Sequence, residues 1–300
     1  MRGVIKYSLF IVVLFLGNTL KVTSQNVTEI PKNQLGISHD NDFLVITDRY
    51  YTFGLSLFYI RSLNEGIFEN TKEQVSFKLL QQAHTPTNLE TRLIEEMDRP
   101  YAGFLGLETG WSAVKSNTFY QTTLLFGIVG PSSGVGQFQR WYHDHIVKYK
   151  TPTWTNELPN NLHANLSFHF AKEWEIAPNP FGVRFAFTPS AVVGSKDVFI
   201  QPELTTYFGR RSSLENSMAY RQITNLEKEI YFSLGFAYKY VTKNAFLELN
   251  NIENEVFLFN FNFHHRYLTN EYRVGYHYYT KEAKGLDKHQ YISLGYAKSF

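Results

Sequence analysis

The sequence predicts an all-β fold, a transmembrane antiparallel β-barrel of about 12 strands. Three observations predict it. Aromatic residues make up 17% of the 300-residue chain, yet mean hydropathy is slightly polar at −0.28. Apolar and polar residues alternate with period two over most of the length, the mark of strands with two unlike faces. Beyond residue 24 there is no run of roughly 20 apolar residues, as a transmembrane helix would need. A barrel wall that meets lipid on one side and a polar lumen on the other reconciles all three.

The chain opens like an exported protein. Arg2 and Lys6 precede an apolar run from Tyr7 to Gly17, and Val22 and Ser24 are small enough for a cleavage site after Ser24. Residues 1–24 therefore read as a signal peptide and 25–300 as the barrel. There is no cysteine, which excludes disulfides, thiolate metal sites and a cysteine nucleophile. The formal charge is +2. Without Arg2, Lys6 and Lys21 the 29 basic residues fall to 26 against 27 acidic ones, about −1. No nucleic-acid partner is implied. The expected partners are outer-membrane lipids, and the expected state is a monomer.

Taken in order, strands are expected near 34–43, 52–62, 74–83, 101–114, 117–129, 161–175, 181–195, 199–210, 230–241, 255–267, 270–281 and 289–300. From Phe257 to Phe263 every second residue is Phe, with Leu258, Asn260 and Asn262 between. Ile230, Phe232, Leu234, Phe236, Tyr238 and Tyr240 alternate with Ser233, Gly235 and Lys239. Segment 199–210 has the weakest pattern. The last strand closes on Phe300, as outer-membrane assembly signals do. An even barrel has both ends in the periplasm, so 84–100 and 130–160 are expected outside as long loops. Lys115–Ser116 and Ala177–Pro180 read as periplasmic turns. The 211–229 connection is long for that side.

Two external segments concentrate polar groups. Residues 39–52 carry Asp40, Asn41, Asp42 and Asp48, hard oxygen donors that suit Ca²⁺ without the spacing of an EF-hand. Such a loop also suits a solvated or lipopolysaccharide-bridging surface. In 130–145 a Gly/Pro/Ser turn leads into a helical pattern with Phe138, Trp141, Tyr142, His143 and His145. Histidine suits general-base work near neutral pH. A plain surface histidine has the same local signature. No Gly-x-Ser-x-Gly elbow, His-Glu-x-x-His helix or phosphate-binding loop is present.

Three segments together resemble the outer-membrane lipid A 3′-O-deacylase (LpxR) family. They are Asn41-Asp42 with Thr47 through Leu55, Asp98-Arg99-Pro100-Tyr101-Ala102-Gly103, and Gly130-Pro131 through Gln137 to His143. The resemblance implies a 12-stranded barrel and a carboxylic ester hydrolase. Its reaction would be Ca²⁺-dependent release of the 3′-O-linked acyloxyacyl group from the lipid A of lipopolysaccharide. It places the family's active-site Asn and Asp on Asn41 and Asp42, with the cation near both, its Thr on Thr52 and its His on His143. A family lysine has no counterpart; Thr91 lies near that position, and Arg92 beside it offers a phosphate-binding cation. A family glutamate falls on Tyr149. Alternation along a strand would point Asn41 and Asp42 to opposite faces unless the strand end twists or bulges. Two other readings of the chain are a non-enzymatic barrel, as a small pore or adhesion platform, and an outer-membrane phospholipase. The His-x-Ser-Asn-Gly pattern of the phospholipases is missing.

Overall fold

A computed structural model describes residues 30–42, 45, 47–148, 150–247 and 250–300. The signal-like segment and Tyr149 lie outside the described residues. Twelve passes of chain close into one antiparallel barrel. They are β1 (Asn33–Asn41), β2 (Tyr50–Ser62), β3 (Lys72–Thr85), β4 (Ala102–Lys115), β5 (Thr118–Val129) and β6 (Asn161–Ala177), followed by two interrupted passes. β7 runs as Val183–Phe187 and Ser190–Gly194, and β8 as Asp197–Gln201 and Glu203–Arg210. β9 (Glu229–Asn244), β10 (Glu255–Tyr267), β11 (Asn270–Tyr279) and β12 (His289–Ser299) complete the wall. Each strand pairs with its neighbours in sequence, and β1 pairs with β12 from Gln34↔Ser299 to Asn41↔Ile292. The interruptions fall at Pro189 and Pro202, which lack the N–H a ladder needs. Their carbonyls still accept, from Phe170 N at 3.0 Å and Tyr238 N at 3.1 Å. This explains the weak pattern of segment 199–210.

The alternation sorts side chains as expected. Phe126, Phe168, Phe232, Phe236, Phe257 and Phe261 are exposed on the outer face, where hydrocarbon replaces water. The lumen holds polar pairs such as Lys78–Glu108 at 3.1 Å and Ser38–Ser56 at 2.7 Å.

The long connection on the short-turn rim folds back into the barrel. Leu214 and Tyr220 pack on Val114, Phe119 and Ala171. Met218 meets Ala186, Tyr207 and Tyr231, and Ile223 meets Phe58, Ile60 and Ala297. These contacts reach strands all round the circumference, so 211–228 is a plug. Charged groups buried at its edge are paired, as burial requires. Arg211 lies 2.7 Å from Glu173. Arg266 lies 3.1 Å from Glu229 and 2.8 Å from Glu271. Arg266 also donates to the plug carbonyls of Asn216 at 2.8 Å and Gln222 at 2.6 Å. The protein in planar bilayers should therefore carry no steady ion current, while a variant with residues 213–222 replaced by a Gly/Ser linker should conduct. A wild-type barrel that conducts as readily as the variant would show that the plug is no seal.

Candidate active site

Phe58 and Ile60 face the plug, so alternate residues of β2 (Leu57, Leu55 and Phe53) face outward. Helix α1 (Val135–Tyr142) lies against that outer wall near the long-loop rim. Its Val135 packs with Phe53, Ala83, Tyr101 and Trp154, and Phe138 joins their edge. Gly103 and Gly136 permit the approach: a Cβ on Gly103 would sit 2.7 Å from Val135 Cβ, and one on Gly136 would sit 2.9 Å from the Trp154 ring. The Asp98-Arg99-Pro100-Tyr101 segment clamps the surrounding loops. Asp98 accepts from Thr87 Oγ1 at 2.6 Å, Arg99 donates to Phe246 O at 3.2 Å, and Tyr101 donates to Leu89 O at 2.7 Å.

Between helix and wall the polar residues converge. β1 ends at Asn41, and Asp42 already lies in a bend. Its carbonyl accepts from Val45 N and Thr47 N. Its fully buried carboxylate accepts from Thr52 Oγ1 at 2.8 Å, Thr47 Oγ1 at 3.0 Å and Arg49 N at 2.8 Å. Asn41 pairs directly with Phe53, so it shares the outer face. The strict alternation that would separate Asn41 from Asp42 stops at the strand end. Thr52 is placed by a bulge. β2–β3 pairing passes from Tyr51↔His84 to Phe53↔Ala83 and skips Thr52. One extra residue lets Thr52 and Phe53 both face outward.

Asp48, which the sequence offered only as one of several oxygen donors in its segment, completes the cluster. Thr52 Oγ1 lies 2.9 Å from Asp48 Oδ1 as well as 2.8 Å from Asp42 Oδ1, so one hydroxyl proton serves two carboxylates. Burial pushes Asp42 up to about 7, and the nearby Asp48 charge adds to that, against the hydrogen bonds it accepts. Burial raises Asp48 too, and His143 beside it pulls it back whenever that ring is protonated.

His143 follows helix α1 in a single π-helical turn, His143–Val147. It is buried, whereas His145 is exposed and stacks on Trp141 at 5.7 Å. His143 Nδ1 lies 2.9 Å from Lys150 O. A carbonyl only accepts, so Nδ1 carries the proton, and Nε2 of the neutral ring keeps its lone pair. Thr91 is tied down by Glu96 at 2.6 Å and by Thr153, whose Oγ1 donates to its carbonyl at 3.0 Å. Arg92 beside it is exposed on the same loop, with no ion-pair partner among the described residues. Glu157 is a carboxyl that the sequence did not flag. Burial holds it at about 7 in spite of Arg140. Among the described residues no group of three or more His, Asp or Glu is placed to hold a metal ion.

The family described as outer membrane protein LpxR matches residues 9–297. The chain belongs to the LpxR family. The LpxR structure from Salmonella typhimurium is similar over 89% of this chain and 100% of that one, with 21% identity and a TM-score of 0.73. An LpxR protein is thus an outer-membrane barrel, and this chain has that barrel. An outer-membrane channel from Pseudomonas putida covers 94% of this chain and 100% of its own at 10% identity and a TM-score of 0.48. The β domain of the Bordetella autotransporter BrkA covers 90% and 99% at 10% identity and 0.47. No curated protein sequence matches the chain.

Proposed function

We propose that this LpxR-family protein is a lipid A deacylase, a carboxylic ester hydrolase that removes the 3′-O-linked acyloxyacyl group of lipopolysaccharide in the outer leaflet. The observation that carries the reading is the buried His143, held with Nε2 as acceptor beside the Asp42–Thr52–Asp48 cluster on the outer wall. A lipid ester reaches such a site from the side, without entering the lumen. His143 Nε2 takes a proton from water, and the hydroxide attacks the ester carbonyl. The ester C–O bond then breaks, and the imidazolium returns its proton to the departing sugar oxygen. The Lys150 carbonyl fixes the ring throughout. Thr52 orients the water or the ester.

The site's chemistry suits Ca²⁺. Two carboxylates share one hydroxyl proton, and burial disfavours their charged forms, so a divalent cation would satisfy oxygens that now compete. Asp42 and Asn41 are the residues assigned to it, with Asp48 added on geometry. Bound there, Ca²⁺ would supply positive charge beside the ester carbonyl, favouring the build-up of negative charge on its oxygen. Arg92 is assigned to a headgroup phosphate. The plug weighs against a pore.

Mass spectrometry of lipid A from cells with and without the protein tests this reading. Lipid A should lose the mass of one acyloxyacyl group, and the loss should stop in excess chelator. An unchanged spectrum would defeat the proposal, and full turnover in chelator would defeat the role of the cation.

A further inference from the structure

Above the plug, on the lumen side of the same wall, lies a cavity of about 310 Å³ that reaches the long-loop rim. Asp40 and Tyr51 line it, and their chain neighbours Asn41 and Thr52 serve the outer face. The cavity and the proposed active site are therefore separated by one thickness of sheet. We propose that this cavity is a saccharide-binding site, and that its ligand offers hydroxyls that both give and accept hydrogen bonds.

Two imidazoles carry the argument. His289 Nε2 lies 3.0 Å from Tyr51 O. The carbonyl accepts, so Nε2 is the donor and Nδ1 of the neutral ring is an acceptor. That Nδ1 is buried without a partner, in a residue 4% exposed. His84 lines the same cavity, and both its ring nitrogens are buried without a partner. One must be an acceptor and the other a donor in a neutral ring. Inorganic phosphate near neutral pH is an anion with mostly acceptor oxygens and at most two O–H groups, whereas every sugar hydroxyl both gives and accepts a hydrogen bond.

The rest of the lining agrees. Asp40 and Glu282 are acceptors, and Gln82 and Lys239 can donate. Lys239 lies over the Phe199 ring at 4.4 Å. Tyr51, Tyr279 and Tyr291 cluster in the lining, with Tyr279 stacked on Tyr291 at 6.0 Å and Tyr51 edge-on to Tyr291 at 5.0 Å. Flat rings flanked by alternating donors and acceptors match a sugar, whose C–H face is apolar and whose rim is hydroxylated. Free sugars and the sugar chain of a lipopolysaccharide share this chemistry. That the second reaches the cavity over the rim rests on the lipid A reading.

The full-length protein in detergent micelles would be titrated with the core oligosaccharide released from lipopolysaccharide by mild acid, followed by saturation-transfer NMR. Parallel titrations would use glucose and inorganic phosphate. His289→Phe and Gln82→Leu alter the cavity from different strands, and heat-modifiable gel mobility reports whether each barrel has folded. The oligosaccharide should bind the wild type saturably, and each folded variant should weaken it at least tenfold. Glucose binding as tightly as the oligosaccharide would assign the site to free sugars. Tighter oligosaccharide binding would assign it to the lipopolysaccharide chain. Hydrolysis of lipid A without its sugar chain should be unchanged in both variants, while turnover of complete lipopolysaccharide falls. No saturable binding, equal binding to wild type and variants, or displacement of the oligosaccharide by phosphate would overturn the proposal. The binding arm needs no catalysis, so its failure is separable from failure of the deacylase reading.

Discussion

His143→Ala should lower lipid A deacylation by about 10²–10⁴-fold, the usual contribution of a positioned acid–base group. The barrel should stay intact, because His143 sits on the loop after helix α1 and takes no part in strand pairing. His145→Ala is the matched control. Its ring is exposed and, among the described residues, hydrogen bonds only within its own turn, to Trp141 O at 2.9 Å, so its loss should change the rate less than about threefold, within the range of an ordinary surface substitution. Deacylation by mass spectrometry and heat-modifiable gel mobility would be read on the same preparations. A His143→Ala protein with near-normal turnover would remove the imidazole from the mechanism, whatever the substrate.

Asp42→Asn should abolish deacylation and its dependence on Ca²⁺, yet leave the barrel at least as stable near pH 8. The sign follows from the raised carboxyl. In the folded protein Asp42 titrates at about 7, against about 3.9 for an unfolded chain. Between those values the folded state binds the extra proton, so stability falls as pH rises through the window. Below about 4 both states are protonated and the penalty is absent; above about 7 it is fully present. An amide carries no charge to desolvate; with its oxygen in the Oδ2 place it still accepts from Arg49 N and Thr47 Oγ1, and its NH2 can donate to Thr52 Oγ1, whose own proton then goes to Asp48. The gain in unfolding temperature over the wild type, measured in chelator, should therefore be present at pH 8 and vanish toward pH 4. Saturating Ca²⁺ should close the gap at pH 8 by stabilising the wild type alone. A variant destabilised at pH 8 to the same degree as at pH 4 would contradict the assignment of Asp42 as a strained, cation-ready carboxylate.

Most of the barrel was readable because alternation is a local property. Phe257, Phe259, Phe261 and Phe263 declare a strand with no help from the neighbouring chain, and they lie on one face of β10. The interrupted passes were harder for an equally local reason. Pro189 and Pro202 break the ladder, so the pattern weakens where the hydrogen bonds do. The site was legible as a set of residue types and by likeness to a family, but its assembly was not. The outward turn of Thr52 depends on one skipped partner in the β2–β3 register, a relation between distant segments that neither segment reveals. Asp48 reads as one more acidic loop residue until Thr52 reaches it. The proton on His143 Nδ1 depends on the Lys150 carbonyl, which any residue at that position would supply. The connection after β8 looked too long for a turn, and only its buried contacts show where the length goes.

That connection also bears on the closure of the barrel. A barrel closes when its first strand meets its last, and here the inserted segment touches both sides of that seam. Ile223 contacts Phe58 on β2 and Ala297 on β12, while Arg266 on β10 grips the carbonyls of Asn216 and Gln222. The contacts that fill the lumen therefore also bridge the two sides of the seam, so the packing of 211–228 and the pairing of β1 with β12 stabilise one another.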